Sequence, residues 1–263
     1  MTNLIYQVAV GEPSALYEHC INSVAEYCKK YSIEHIIQRE PILRIAPDFT
    51  RSGRSENVAK RGYLPIFEKE NAFNYLKDTN ALAIIDADIY IRDSAPNIFS
   101  ELQPRAAIAL VSEREMDIQP WYQRKILHYS IAQYGNLHDQ PQRGRPNFKP
   151  NDLGYEFYNM GMMLINSKNF LPYLKGDSPR DFINRPEFKD FVDGIGQWKW
   201  STDQTLLNYF LKVNGVPTQH LSPVWNGLYN AVNNIKYCHF VHFFLKDKLP
   251  SKGENVSELM ATI

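Results

Sequence analysis

The sequence predicts an α/β fold: a single domain with a mixed, mostly parallel central sheet flanked by helices. Three observations predict it. Apolar runs rich in β-formers alternate with helical patterns from the first residues onward, as in βαβ units. The chain has 263 residues, 44% of them hydrophobic, enough for a substantial core. The most strongly apolar stretch, A-L-A-I-I-D-A-D-I-Y-I-R-D from Ala81 to Asp93, reads as a buried central strand interrupted by two aspartates, Asp86 and Asp88.

In chain order, Leu4 to Val10 is a short strand closed by the loop Gly11-Glu12-Pro13. Ser14 is placed to cap a helix whose Leu16, Cys20, Ile21, Val24 and Cys28 share one face. His35 to Ile45 reads as a second extended piece, interrupted by Pro41. The polar stretch from Ile45 to Tyr63 carries Arg51, Arg54, Lys60 and Arg61 and leads into a helix over Leu64 to Lys77. Most of these cations suit a solvated face; Arg61 and Lys60, at the helix start, are the better candidates for an anion.

Ala106 to Val111 is a further strand. Met116 to Pro150 is a long polar excursion with a helix over Pro120 to Tyr134 and an irregular loop after it. It interleaves Trp121, Tyr122, Arg124, His128, Tyr129, Arg143 and Arg145, and excursions of this length tend to serve binding. Phe157 to Asn166 is a strand in which Asn159 and Gly161, an amide and a bare backbone, suit a ligand surface. Lys168 to Leu174 and Pro186 to Val192 read as helices. Ser201 or Thr202 caps another, which opens with Asp203 and Gln204; an aspartate suits a first helical turn, whereas the glutamine has no such reason. Val216 to Leu221 is a short strand, and Tyr237 to Phe244 a late buried one containing His242, with Lys246 and Lys248 after it. The tail from Ser251 is polar and expected to be loosely held, which leaves residues 1–250 as the domain.

Composition narrows the partners. Lys plus Arg and Asp plus Glu each total 29, so the formal charge is zero. A nucleic acid or an acidic membrane surface would call for a basic excess. The cysteines, Cys20, Cys28 and Cys238, are odd in number and lack metal-type spacing, which fits a reducing compartment. The N-terminus lacks a signal-peptide pattern and no apolar run reaches membrane-spanning length, so a cytoplasmic location is expected.

Two carboxylates are costly to bury unless a positive group meets them, and a divalent cation is the usual compensation. On a strand, residues two apart point to one side, so Asp86 and Asp88 would reach one ion together. Strands that end in turns also carry aspartates, and a lone histidine among apolar neighbours is more often a satisfied core residue. Neither feature decides alone.

Order decides more. A-I-I-D-A-D-I-Y-I, F-Y-N-M-G-M-M-L-I-N, T-D-Q-T-L-L-N and H-F-F-L-K-D-K follow one another along the chain. They resemble, in sequence, the L-Y-L-D-x-D-x-x-V, F-N-x-G-V-x-L-I-N, D-Q-D-x-L-N and H-F-x-G-x-x-K-P-W motifs of GT-A fold glycosyltransferases. The resemblance is greatest to the family 8 retaining enzymes of the glycogenin and galactosyltransferase type, and it spans the chain from the first strand to Lys248. Leu245 stands in place of the family's glycine, Leu249-Pro250 in place of Pro-Trp, and the first loop, A-V-G-E-P, lacks the usual aspartate or asparagine.

The resemblance implies a Rossmann-like nucleotide-binding sheet and metal-dependent transfer of a sugar from a nucleotide-diphosphate donor, most often a UDP-sugar. The acceptor would be a glycan, glycolipid or glycoprotein. It implies Mn²⁺ or Mg²⁺ held by Asp86, Asp88 and His242, with Ala87 between the aspartates at the donor. Lys248, with Lys246, would meet the diphosphate; Arg61, with Lys60 as substitute, would approach the donor; backbone at Ala9, Val10 and Gly11 would hold the nucleoside. Asn159, Gly161 and Asp203 fall on positions that meet the donor sugar, and Gln204 on the one near the anomeric carbon, so Asp203 and Gln204 are the catalytic candidates. An amide is a poor nucleophile, which favours a front-face, retaining route in which the leaving phosphate takes the acceptor's proton. Inversion would need a carboxylate base, for which Glu113, Glu115 and Asp117 follow a strand, so the stereochemistry stays open. The 116–150 excursion is the candidate acceptor side and lid.

Two other classes share parts of this pattern. One is a catalytically silent GT-A module that binds a sugar nucleotide or glycan. The other is a phosphatase of the haloacid-dehalogenase type, whose D-x-D follows the first strand and continues to threonine or valine; here the motif lies deep in the chain and continues to Tyr90.

Overall fold

Alternation along the strands divides the core between the two faces of one sheet. The computed structural model describes residues 2–12, 14–137 and 150–263. In β1 (Thr2–Val8), Leu4 and Tyr6 enter one apolar cluster and Ile5 the other, all buried. Helix α1 (Ala15–Tyr31) covers one face with Leu16, Cys20, Ile21, Val24 and Cys28, and β2 (Glu34–Gln38) returns parallel to β1. A short helix, α2 (Glu56–Arg61), precedes a run of 3-10 turns over Pro65–Lys77. Strand β3 (Thr79–Ile85) then pairs parallel to β1 on its other side.

The remaining elements are β4 (Ile89–Ile91), β5 (Ile108–Ser112), α3 (Pro120–Tyr134), β6 (Tyr158–Asn166), α4 (Ser167–Leu174) and α5 (Pro179–Ile183). After them come α6 (Lys189–Asp193), α7 (Asp203–Asn214), β7 (Thr218–His220), β8 (Gly227–Leu228), β9 (Phe240–His242) and α8 (Val256–Met260). Six strands form the central sheet in the order β2-β1-β3-β6-β5-β7; β6 runs antiparallel to both neighbours and the other pairings are parallel. A second sheet, β4-β9-β8, sits at its edge. The expected mixed α/β fold is the one observed.

Several local expectations change. Asp86 and Asp88 do not lie on one strand: they form the turn by which the chain leaves β3 for β4 in the second sheet, with Ile89 N donating to Asp86 O at 3.1 Å. The second extended piece stops at Gln38, because the buried Glu68 carboxylate draws the following backbone inward. Ile42 N and Leu43 N donate to its Oε2 at 2.8 and 2.9 Å, and Arg44 N to its Oε1 at 2.7 Å. The late strand shrinks to Phe240–His242, and the Pro186–Val192 helix divides into a 3-10 turn and α6. Ser14 and Thr202 occupy N-cap positions, yet neither side chain makes a capping bond. The tail is docked rather than loose: Leu259 of α8 is fully buried against Leu16, Cys20 and Leu249. Arg143 and Arg145 lie outside the described residues. All three cysteines are free and buried, and among the described residues no helix is long and apolar enough to cross a membrane.

Glu70 is fully buried, and neither carboxylate oxygen has a hydrogen-bond partner among the described residues. Burial, followed by the charge of Asp203, pushes its carboxyl well above the usual range near 4.5. The folded state therefore holds this proton more tightly than the unfolded chain does, so Glu70 erodes stability as pH rises above about 4.5. Glu70→Met is expected to be more stable than wild type at pH 7. The advantage should vanish toward pH 4; chemical denaturation at both pH values checks it.

Candidate active site

The turn after β3 and the pairing of the second sheet bring the two ends of the chain together. Asp86 N donates to Gly161 O at 2.8 Å, which extends the β3–β6 ladder to the first aspartate. Beyond the turn, β4 runs antiparallel to β9 with Ile89 opposite His242, and Phe243 N donates to Asp88 O at 2.9 Å. This register places His242 Nε2 3.2 Å from Asp88 Oδ1 and 3.9 Å from Asp86 Oδ2. One ligand atom from each of the three residues lies within 4.8 Å of the others.

Electrostatics binds the three together. Burial opposes charge on His242, but Asp88 and then Asp86 outweigh it and hold the imidazole above its usual range. Burial likewise opposes ionisation of Asp88, and His242 more than compensates, leaving that carboxyl below its usual range. Asp86 goes the other way: burial raises it, Lys69 offsets part of the rise and the neighbouring Asp88 charge adds to it. Two carboxylates that converge on one imidazole, each partly open to the cleft, fit a hard divalent cation such as Mn²⁺ or Mg²⁺.

The cation this cluster does possess is Lys69, from the 3-10 run. Its Nζ lies 2.9 Å from Asp86 Oδ1 and 2.8 Å from Asp203 Oδ2, an ion pair with each, and it donates to Met160 O at 3.1 Å. Burial works against its charge, but Asp203 and Asp86 dominate and raise it further. Sequence reasoning missed this residue and favoured Arg61. Arg61 is exposed at the C-terminal end of α2 and does not line the site. The available signal was E-K-E inside an otherwise apolar helical run: three charges on a segment that must be buried need one another.

Two adjoining hollows meet at Lys69 and Asp86. The first, about 280 Å³, is lined by Asp86, Asn159, Gly161, Asp203, Gln204 and His242, with Glu113 among them. Its far wall is one face of α3: Tyr122, Lys125, Ile126 and Tyr129, at helical spacing. Phe157, Phe244 and Leu245 add apolar surface. The second, about 310 Å³, is lined by Val8, Ala9, Val10, Tyr17, Ala87 and Asp88, just past the C-terminal end of β1. Tyr17's phenol is pushed up to about 12 by burial and then by Asp88. Gly11, with Ala9 and Val10, lines a further small hollow alongside.

Asp203 and Gln204 open α7 at the first hollow. Asp203 is buried through its pairing with Lys69 rather than by a dipole role on the surface. Gln204 donates from Nε2 to Glu113 Oε1 at 3.1 Å. Asn159 is more enclosed than a ligand-facing amide: Nδ2 donates to Glu113 Oε1 at 2.7 Å, and Oδ1 accepts from Gly161 N at 2.9 Å and from Asn226 Nδ2 at 2.8 Å. Gly161 makes room for the histidine, because a Cβ there would overlap His242 Cε1 and reach 2.7 Å from Nδ1. Lys248 is exposed on the 3-10 turn Lys246–Lys248, its ammonium 3.7 Å from the centre of the Trp121 ring. Leu245 takes a left-handed backbone, φ 57°, the conformation that suits the glycine of the resembled motif.

No family model matches the chain, and neither does any curated protein. Solved structures do. The galactosyltransferase LgtC, in complex with donor and acceptor sugar analogs, superposes with a TM-score of 0.53 at 15% identity over 92% of this chain and 87% of that one. An active-site mutant of LgtC superposes at 0.50, with 12% identity over 98% and 95%. At such identity the likeness identifies the fold, which is the GT-A arrangement.

Two substitutions test the geometry. Lys69→Met leaves Asp86 and Asp203 without their shared cation and should destabilise the fold by about 3–5 kcal/mol in chemical denaturation. Gly161→Ala should displace the His242 ring and weaken Mn²⁺ binding on the order of tenfold or more in a metal titration, with the circular dichroism spectrum retained.

Proposed function

We propose that the protein is a glycosyltransferase that moves a sugar from a nucleotide-diphosphate donor, a UDP-sugar, to a glycan, glycolipid or glycoprotein acceptor, with retention. The observation that carries this reading is the convergence of the Asp86–Asp88 turn, His242 of β9 and the Asp203–Gln204 start of α7 on one cleft at the C-terminal ends of β1 and β3. Open α/β sheets bind nucleotides at that edge.

Asp86, Asp88 and His242 would hold Mn²⁺ or Mg²⁺, which would neutralise charge on the departing diphosphate as a Lewis acid. The nucleoside fits the hollow beside Ala9, Val10 and Tyr17. The sugar then falls in the adjoining hollow, where Asp203, paired with Lys69, offers a carboxylate to sugar hydroxyls and Gln204 presents its amide. The α3 face and the rings of Phe157 and Phe244 exclude water around the reacting carbon and offer a surface for the acceptor.

Retention is favoured by where the carboxylates are. Of the three base candidates after β5, Glu115 is paired with His220 and Asp117 accepts from Asn233, and neither lines the sugar hollow. Glu113 does line it, but Asn159 and Gln204 both donate to its Oε1 and Tyr122 to its Oε2 at 3.4 Å. Burial raises Glu113, but a carboxylate engaged by three donors is a weaker candidate for taking a proton from an incoming hydroxyl, which supports the front-face route through the leaving phosphate.

A panel of UDP- and GDP-sugars with Mn²⁺ tests the reading. One donor should release its nucleotide in a metal-dependent way, and Asp88→Asn should slow that release on the order of a hundredfold. A protein that binds a donor but neither transfers nor hydrolyses it would be a binding module instead. Equal turnover by Asp88→Asn would remove the metal assignment.

A further inference from the structure

Asn226 sits in a stretch, S-P-V-W-N-G, that carries no recognisable chemistry in sequence, yet it is fully buried between two residues of the site. Its Nδ2 lies 2.8 Å from Asn159 Oδ1, and its Oδ1 lies 3.1 Å from His242 Nδ1. The direction of each bond follows from one group that has no choice. Gly161 N is a backbone N–H and can only donate, so the Asn159 atom 2.9 Å from it must be the oxygen. That oxygen also faces Asn226, so Asn226 presents its NH₂ there and turns its own oxygen to the imidazole. A carbonyl oxygen only accepts; His242 Nδ1 must therefore carry a proton. At the far end, Asn159 Nδ2 is anchored on Glu113 Oε1 at 2.7 Å, which blocks a flip of the first amide.

We propose that this relay from the Gly161 backbone through Asn159 and Asn226 sets the tautomer and orientation of His242, so that Nε2, beside Asp86 and Asp88, is the nitrogen that offers its lone pair when a divalent cation is bound. Asn159 and Asn226 are then positioning residues that act through His242. Asn159 has this role in place of direct recognition of a sugar hydroxyl, which the family resemblance alone would assign. A partner of this kind on the second ring nitrogen commonly fixes a metal-binding histidine. The inference rests on the reading that Asp86, Asp88 and His242 hold a divalent cation.

The test is Mn²⁺ affinity without nucleotide, measured by titration for wild type and for Asn226→Leu, which removes both ends of the relay at similar volume. The dissociation constant is expected to rise about 10–100-fold. A residue with only a packing role would lower the melting temperature and leave the affinity of the folded protein alone, so affinity within twofold of wild type overturns the relay while the metal centre stands. Wild-type protein that binds no Mn²⁺ overturns both. Should Asn226→Leu fail to fold, ¹⁵N spectra of Mg²⁺-loaded wild type decide: a proton on His242 Nδ1 supports the relay, and an unprotonated Nδ1 overturns it.

Discussion

The ammonium of Lys69 is the charge on which the site depends. It stands where three elements meet: the turn after β3, strand β6 and the start of α7, each of which supplies one acceptor. Two buried or half-buried carboxylates thereby share one cation, which offsets part of the cost of burying them. The neighbouring Glu70 shows the contrast. That carboxyl lies just as deep, has no hydrogen-bond partner among the described residues and is driven toward its neutral form. One lysine pairs with two carboxylates and donates to a carbonyl.

The second sheet solves a different problem. His242 is far from Asp88 along the chain, and only the β4–β9 pairing makes them neighbours. The D-x-D turn does this by leaving one sheet and entering another within three residues. The same turn that presents the carboxylates thus also sets the register that delivers the imidazole. Loss of β9 pairing would dismantle the ligand set without touching either aspartate.

Much of this was legible in the sequence. The α/β alternation, most of the strands, α1 and α3 follow from periodicity and residue type, and the order of the four motifs from the family resemblance. Those signals are local, and these elements are fixed by local patterns. What stayed hidden depends on contacts across the fold. Lys69 reads as a solvated charge until Asp86 and Asp203 are seen on either side of it. Asn226 reads as part of a loop until Asn159 and His242 enclose it. Glu68 cut β2 short by capturing three backbone N–H groups, which no propensity scale registers. Asn159 and Gly161 stood out in sequence and both line the hollow, while their contacts to a histidine and another amide were not legible there.

Leu245 holds a left-handed backbone and lines the first hollow. For an L-residue with a Cβ that conformation costs about 1–2 kcal/mol. Glycine would remove the strain and the wall together; leucine keeps both. The strained backbone and the wall at that corner therefore belong to one residue, and the core beneath plays no part in either.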